Sequence, residues 1–89
     1  MPTIHLLITG KVQGIFYRAT AKKIANQLNI KGWIKNTKDG NVEATATGNE
    51  EQLKEFINWC KQGPENAKVE EVIIEQKPIT SFDTFDITR

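Results

Sequence analysis

One stretch, Gly10-Lys11-Val12-Gln13-Gly14-Ile15-Phe16-Tyr17-Arg18, limits what this chain can fold into more than any other. An apolar run leads into it. Alternation from Thr3 to Thr9 sets Ile4, Leu6 and Ile8 against His5, Leu7 and Thr9, which predicts a strand with one well-buried face. A run at helical spacing leaves it: Tyr17, Ala21, Ile24, Ala25 and Leu28 share one helical stripe. The expected helix covers Tyr17 to Leu28, with Lys22, Lys23, Asn26 and Gln27 outward. The stretch is therefore a strand-to-helix turn, and what it lacks is informative. A helix start leaves about four backbone N–H groups without partners, and Ser, Thr, Asp or Asn usually caps one of them. None of these occurs between Gly10 and Arg18. Two glycines allow a sharp turn and close backbone approach. An uncapped helix start is a ready anion site, and Arg18 adds a planar fork of donors suited to phosphate or carboxylate. An ordinary strand–helix connection with a surface arginine would show the same residues.

The remaining punctuation completes a topology. Ile30 to Asn36 is predicted as a second strand and Asn41 to Thr47 as a third. Thr37-Lys38-Asp39-Gly40 between them carries the Asp-Gly hairpin signal. Val42, Ala44 and Ala46 should face inward from the third strand, with Asn41, Glu43, Thr45 and Thr47 outward. Asn49 can cap a second helix, with Gln52 as its capping-box partner. Leu53, Phe56, Ile57 and Cys60 form the expected buried stripe of that helix, and Gly63-Pro64 stops it, the glycine in the left-handed conformation. Val69 to Gln76 is a fourth strand whose alternation Glu70 and Glu71 disturb, and Phe82 to Thr88 a short last one with Phe85 and Ile87 on one face. The order β-α-β-β-α-β plus a terminal strand predicts a ferredoxin-like α/β sandwich: a mainly antiparallel sheet with both helices on one face. The other sheet face is then uncovered, and must be polar or serve as a surface.

At 89 residues the chain is one domain, 1–89. Its net charge of +1, from 12 basic and 11 acidic residues, argues against a broad polyanion-binding surface. Ile4 to Ile8 is far short of a membrane span, and no secretory leader is expected. A single cysteine, Cys60, excludes an internal disulfide and points to the cytoplasm.

A second constellation changes the weight of the first. Gly32-Trp33-Ile34-Lys35-Asn36 is followed by Gly40, Val42 and Gly48. In the expected fold Asn36 ends strand two and Arg18 opens helix one, at the same end of the sheet. The Gly10–Arg18 stretch closely resembles the first signature of the acylphosphatases, and Gly32 to Gly48 resembles their second. The resemblance covers nearly the whole chain. Three departures, Ile15 and Ile34 for the usual valines and Tyr17 for the usual phenylalanine, fall at packing positions.

The resemblance implies hydrolysis of a carboxyl–phosphate mixed anhydride to carboxylate and inorganic phosphate. By analogy, backbone amides of Gln13, Gly14, Ile15, Phe16, Tyr17 and Arg18 cradle the phosphoryl group. Arg18 grips it and Asn36 holds the attacking water. The implied mechanism uses no metal, organic cofactor or covalent intermediate. The expectation is a monomeric enzyme whose partners are small acyl phosphates and phosphate, neither nucleic acid nor membrane. The alternative from the residues alone is a non-catalytic anion-binding or protein-interaction module on the same fold.

Other chemistry-bearing residues have ordinary explanations. His5 is expected solvated on the outer face of strand one, and Cys60 packed on the second helix. Lys11 and Lys35 flank the expected pocket and could attract anions. Trp33 and Trp59 are expected at the rims of the fold. Strand three has no aromatic residue to stack an RNA base and turns Glu43 outward.

Overall fold

A computed structural model describes all 89 residues. The elements are β1 (Thr3–Lys11), α1 (Tyr17–Gln27), β2 (Lys31–Asn36), β3 (Val42–Thr47), α2 (Glu50–Gln62), β4 (Lys68–Lys77) and β5 (Phe85–Ile87). They form a five-stranded sheet of order β4-β1-β3-β2-β5. β1 pairs antiparallel with β3 and β4, β2 antiparallel with β3, and β2 parallel with β5. This is the ferredoxin-like arrangement. One core joins the inner sheet face (Ile4, Leu6, Ile8, Ile34, Val42, Ala44, Ala46) to Ala21 and Ala25 of α1 and Leu53, Phe56 and Cys60 of α2. Ile57, at the edge of that stripe, is half-buried beside a cleft that it lines with Ile4 and Leu53.

β1 runs two residues beyond the expected Thr9, and the reason lies in β4. Thr9 pairs with Glu71 but Gly10 pairs with Val69, so Glu70 is the extra residue of a β-bulge. That bulge is what breaks the alternation at Glu70 and Glu71. Gly10 is required there: a Cβ would stand 2.8 Å from the Glu70 backbone nitrogen. β5 is shorter than the expected Phe82–Thr88. Residues 78 to 84 are used instead to cross from the β4 edge of the sheet to the β2 edge. Thr80 fastens this crossing to the ends of β1 and β3: its N–H donates to Thr3 Oγ1 (2.9 Å) and its carbonyl accepts from Thr47 Oγ1 (2.8 Å).

α2 begins with the expected capping box. Gln52 N–H donates to the Asn49 side chain (2.8 Å), and Asn49 N–H donates to the Gln52 side chain (3.0 Å). Its end departs from expectation. Gly63 has φ 68 but ψ −175, outside the left-handed helical region. The carbonyl of Cys60 would ordinarily accept from residue 64, and Pro64 has no N–H to give. The Tyr17 hydroxyl takes that place, donating to Cys60 O at 2.7 Å. The Tyr17 ring lies against Trp59 (centroids 5.2 Å apart) and leaves no space for a Cβ on Gly63. Burial pushes the phenol above its ordinary pKa, and pushes the Cys60 thiol up to about 12. Both groups are therefore neutral packing elements.

The outer sheet face is polar apart from Trp33 and the cross-strand pair Leu7 and Ile73. Glu43 on β3 accepts from His5 Nε2 (3.0 Å) and pairs with Lys35 Nζ (3.3 Å). Trp33 lies beside both, 5.6 Å from Lys35 Nζ and 6.3 Å, edge to face, from the His5 ring. His5 is thus held by a carboxylate rather than simply solvated. Partial burial alone would raise the Glu43 pKa, but the bonds from His5 and Lys35 outweigh it and hold the carboxyl below its usual range.

Tyr17→Phe should lower the free energy of unfolding by about 1–2 kcal/mol, because it strands a buried carbonyl. Urea denaturation of the two proteins measures this; equal midpoints would mean the hydroxyl is not the carbonyl's partner.

Candidate anion site at the mouth of α1

The site is built where β1 hands over to α1. Val12 is buried just beyond β1 and anchors the departing chain in the core. Ile15 packs on the same core, and Phe16, the next residue, is 82% exposed. Phe16 is the N-cap of α1 and sits in the left-handed region at φ 64, ψ 21. A bulky residue rarely accepts this, and the conformation costs roughly 1–2 kcal/mol. The cap makes no side-chain hydrogen bond, as the missing Ser, Thr, Asp and Asn predicted. The loop N–H groups of Gln13, Gly14, Ile15 and Phe16 and those of the first turn, Tyr17 to Ala19, donate to no protein acceptor. They are also at the positive end of the helix dipole.

A cavity of about 320 Å³ opens at this point, lined by Val12, Gly14, Phe16, Tyr17, Arg18, Ala19, Asn36 and Ile87. Arg18, in the first turn of α1, has no ion-pair partner; the acids that form pairs are Glu43 and Glu75, bound to His5, Lys35 and Lys77. Asn36 ends β2 on the inner face, in phase with Gly32 and Ile34. Its Oδ1 is the one buried side-chain polar atom in the molecule without a hydrogen-bond partner. Leaving such an atom unpaired costs about 1–3 kcal/mol. The cavity therefore brings together free donors, a free guanidinium and a free buried acceptor. That combination can hold an anion and a hydrogen-bond donor such as water side by side.

Of the residues named from sequence, Gly14, Phe16, Tyr17, Arg18 and Asn36 line the cavity. Gln13 and Ile15 do not: the Ile15 side chain packs on the core, and the Gln13 side chain reaches to the β2–β3 hairpin. Lys11 and Lys35 are not part of the lining. Lys35 alternates with Asn36 along β2, so its side chain is on the opposite face, bound to Glu43. Val12, Ala19 and Ile87 line it without having been named from sequence, and Ile87 is the one that lies far from the loop in the chain. Its alternation with Phe85 placed it inward, but only the parallel pairing of β5 with β2 sets it opposite Ile34, two residues before Asn36. No group of three or more His, Cys, Asp or Glu side chains is placed to hold a metal.

The chain is similar to known proteins in sequence and in fold. The acylphosphatase family model matches residues 4–87. An acylphosphatase of Marinobacter nauticus is 47% identical over 85 residues, which are 94% of this chain and 92% of that protein. One from Legionella pneumophila is 46% identical over 80 residues, 90% of this chain and 88% of that one. Among solved structures, an acylphosphatase from Bacillus subtilis superposes with a TM-score of 0.97 at 29% identity, covering 100% of both chains. An acylphosphatase from Coxiella burnetii gives 0.94 at 33% identity, covering 98% of this chain and 92% of that one.

Proposed function

The chain belongs to the acylphosphatase family and hydrolyses acyl phosphates, and from this we propose that the mouth of α1 is where it does so. The observation that carries the reading is the cavity in which unclaimed N–H donors, Arg18 and the unpartnered Asn36 Oδ1 meet. In this reading the amides of Gln13 to Arg18 and the Arg18 fork take the phosphoryl oxygens. Asn36 Oδ1 accepts a hydrogen bond from water and so aims the water's oxygen at phosphorus. Water attacks, the phosphorus–acyl oxygen bond breaks, and its electron pair leaves on the carboxylate. The water's proton passes to a phosphoryl oxygen.

No acid, base or nucleophile of the protein is required. The leaving carboxylate has a conjugate-acid pKa of roughly 4, so it departs without a proton. The transition state is loose, and positioning with charge stabilisation is what the protein must supply. Asn36 is neutral and cannot act as a base near neutral pH. For the same reasons the reaction needs no metal or cofactor. The alternative of a non-catalytic anion-binding module is set aside by the relatives, which are named as acylphosphatases.

The same reading makes the protein a monomeric, cytoplasmic enzyme of small acyl phosphates. Its lone thiol, Cys60, is buried and free, which suits a reducing compartment. No helix is long and apolar enough to cross a membrane. On the outer sheet face, where a related topology would stack RNA bases, Glu43 presents a carboxylate and ties up His5 and Lys35.

Arg18→Ala should lower kcat/KM for benzoyl phosphate by about 10³-fold and abolish inhibition by phosphate. Arg18→Lys should not restore either, because a point charge lacks the fork. An Arg18→Ala enzyme near wild-type activity would overturn the assignment. Asn36→Ala should lower kcat by about 10²-fold while the inhibition constant for phosphate holds; parallel losses in both would make Asn36 structural. EDTA should leave kcat unchanged, and inactivation reversed by a divalent cation would contradict the metal-free mechanism.

A further inference from the structure

The phosphate loop and the strand bearing Asn36 come from different parts of the chain, yet their spacing must be held closely. An in-line attack tolerates little error, and a misplacement of ~1 Å can cost on the order of 10²-fold in rate. Asn36 cannot fix this spacing through its own Oδ1, which makes no hydrogen bond to the protein. The hydrogen bonds that do connect the loop to the β2–β3 hairpin come from one side chain. Gln13 Nε2 donates to Thr37 O at 2.9 Å and to Asn41 O at 2.7 Å.

These two carbonyls stand at the mouth of the hairpin turn. Thr37 N–H donates to Asn41 O (2.9 Å), Gly40 N–H to Thr37 O (3.3 Å) and Asn41 N–H to Thr37 Oγ1 (3.1 Å). The turn is therefore closed on itself, and Gln13 holds it as a unit. Thr37 directly follows Asn36, so the tie acts one peptide away from the unpartnered amide. Glutamine suits this position because a single nitrogen offers two N–H donors to two carbonyls. Glutamate would set a carboxylate against the same two oxygens.

We propose that the Gln13 side chain is a positioning residue for turnover, setting the distance between the phosphate loop and the water held by Asn36. The inference rests on the roles given above to the loop and Asn36. Its backbone N–H stays in the loop whatever the side chain, so the side chain and the phosphate cradle can be tested apart.

The test is a double-mutant cycle between Gln13→Met and Asn36→Ala, read as kcat for benzoyl phosphate and as the inhibition constant for inorganic phosphate. Methionine keeps length and packing and removes both donors. Gln13→Met should lower kcat about tenfold, with phosphate inhibition within about twofold of wild type. In the Asn36→Ala background the same change should lower kcat less than twofold further, because the water it helps to place is already lost. Gln13→Glu should resemble Gln13→Met or be slower. A full tenfold loss that multiplies with Asn36→Ala would overturn the proposal, as would a rise in the phosphate constant matching the fall in kcat. If Asn36→Ala alone keeps wild-type kcat, the water-positioning role fails first and this proposal falls with it. Circular dichroism melts of each variant separate a lost fold, which would make Gln13 structural, from a lost rate.

Discussion

Everything at the working end of this molecule follows from N–H groups that the protein declines to satisfy. Helix α1 starts at Tyr17 with no polar cap, behind a phenylalanine forced into the left-handed region. Both features oppose stability, since a good cap is worth about 1 kcal/mol and a bulky left-handed residue is strained. They persist because the surrounding chain is over-determined. Val12 and Ile15 are held by the core on one side, Tyr17 is buried on the other, and Gln13 is tied to the hairpin. Backbone strain concentrated beside a cavity with free donors is the pattern expected of a preorganised site.

Tyr17 links that site to the far side of the helical layer. Its hydroxyl completes the last turn of α2, where Pro64 has no hydrogen to offer Cys60. Its ring fills the space that Gly63 leaves open and packs, tilted, against Trp59. The residue preceding Arg18 in the sequence is thus fixed by the C-terminus of the other helix. The registry of α1 depends on long-range packing more than on local signals, as is general for short helices.

Charge is partitioned by the pleat of the sheet. Lys35 and Asn36 are neighbours in sequence and point to opposite faces. Glu43 collects Lys35 and His5 on the outer face, leaving Arg18 without a competing carboxylate on the inner one. A near-neutral chain, with net charge +1, thereby keeps one uncompensated guanidinium where an anion would sit. Sheet geometry, not overall charge, makes the cavity electropositive.

The order of elements, the capping box of Asn49 and Gln52, the absent cap of α1 and the place of Asn36 at the end of strand two were legible in the residues themselves. Each depends on neighbours within a few positions, where period, turn chemistry and missing cap residues act directly. Other features needed the folded chain. The bulge at Glu70 follows from how β4 meets Gly10, the shortness of β5 from the crossing anchored by Thr80, and the Tyr17 hydroxyl's partner from the meeting of two helix ends. Lys35 left the pocket, and Ile87 and the Gln13 tether entered its surroundings, for the same reason. A sequence states what each segment can do locally. Which distant carbonyl, carboxylate or strand edge stands opposite it is decided by long-range packing and pairing, and those contacts carry no signature in nearby residues.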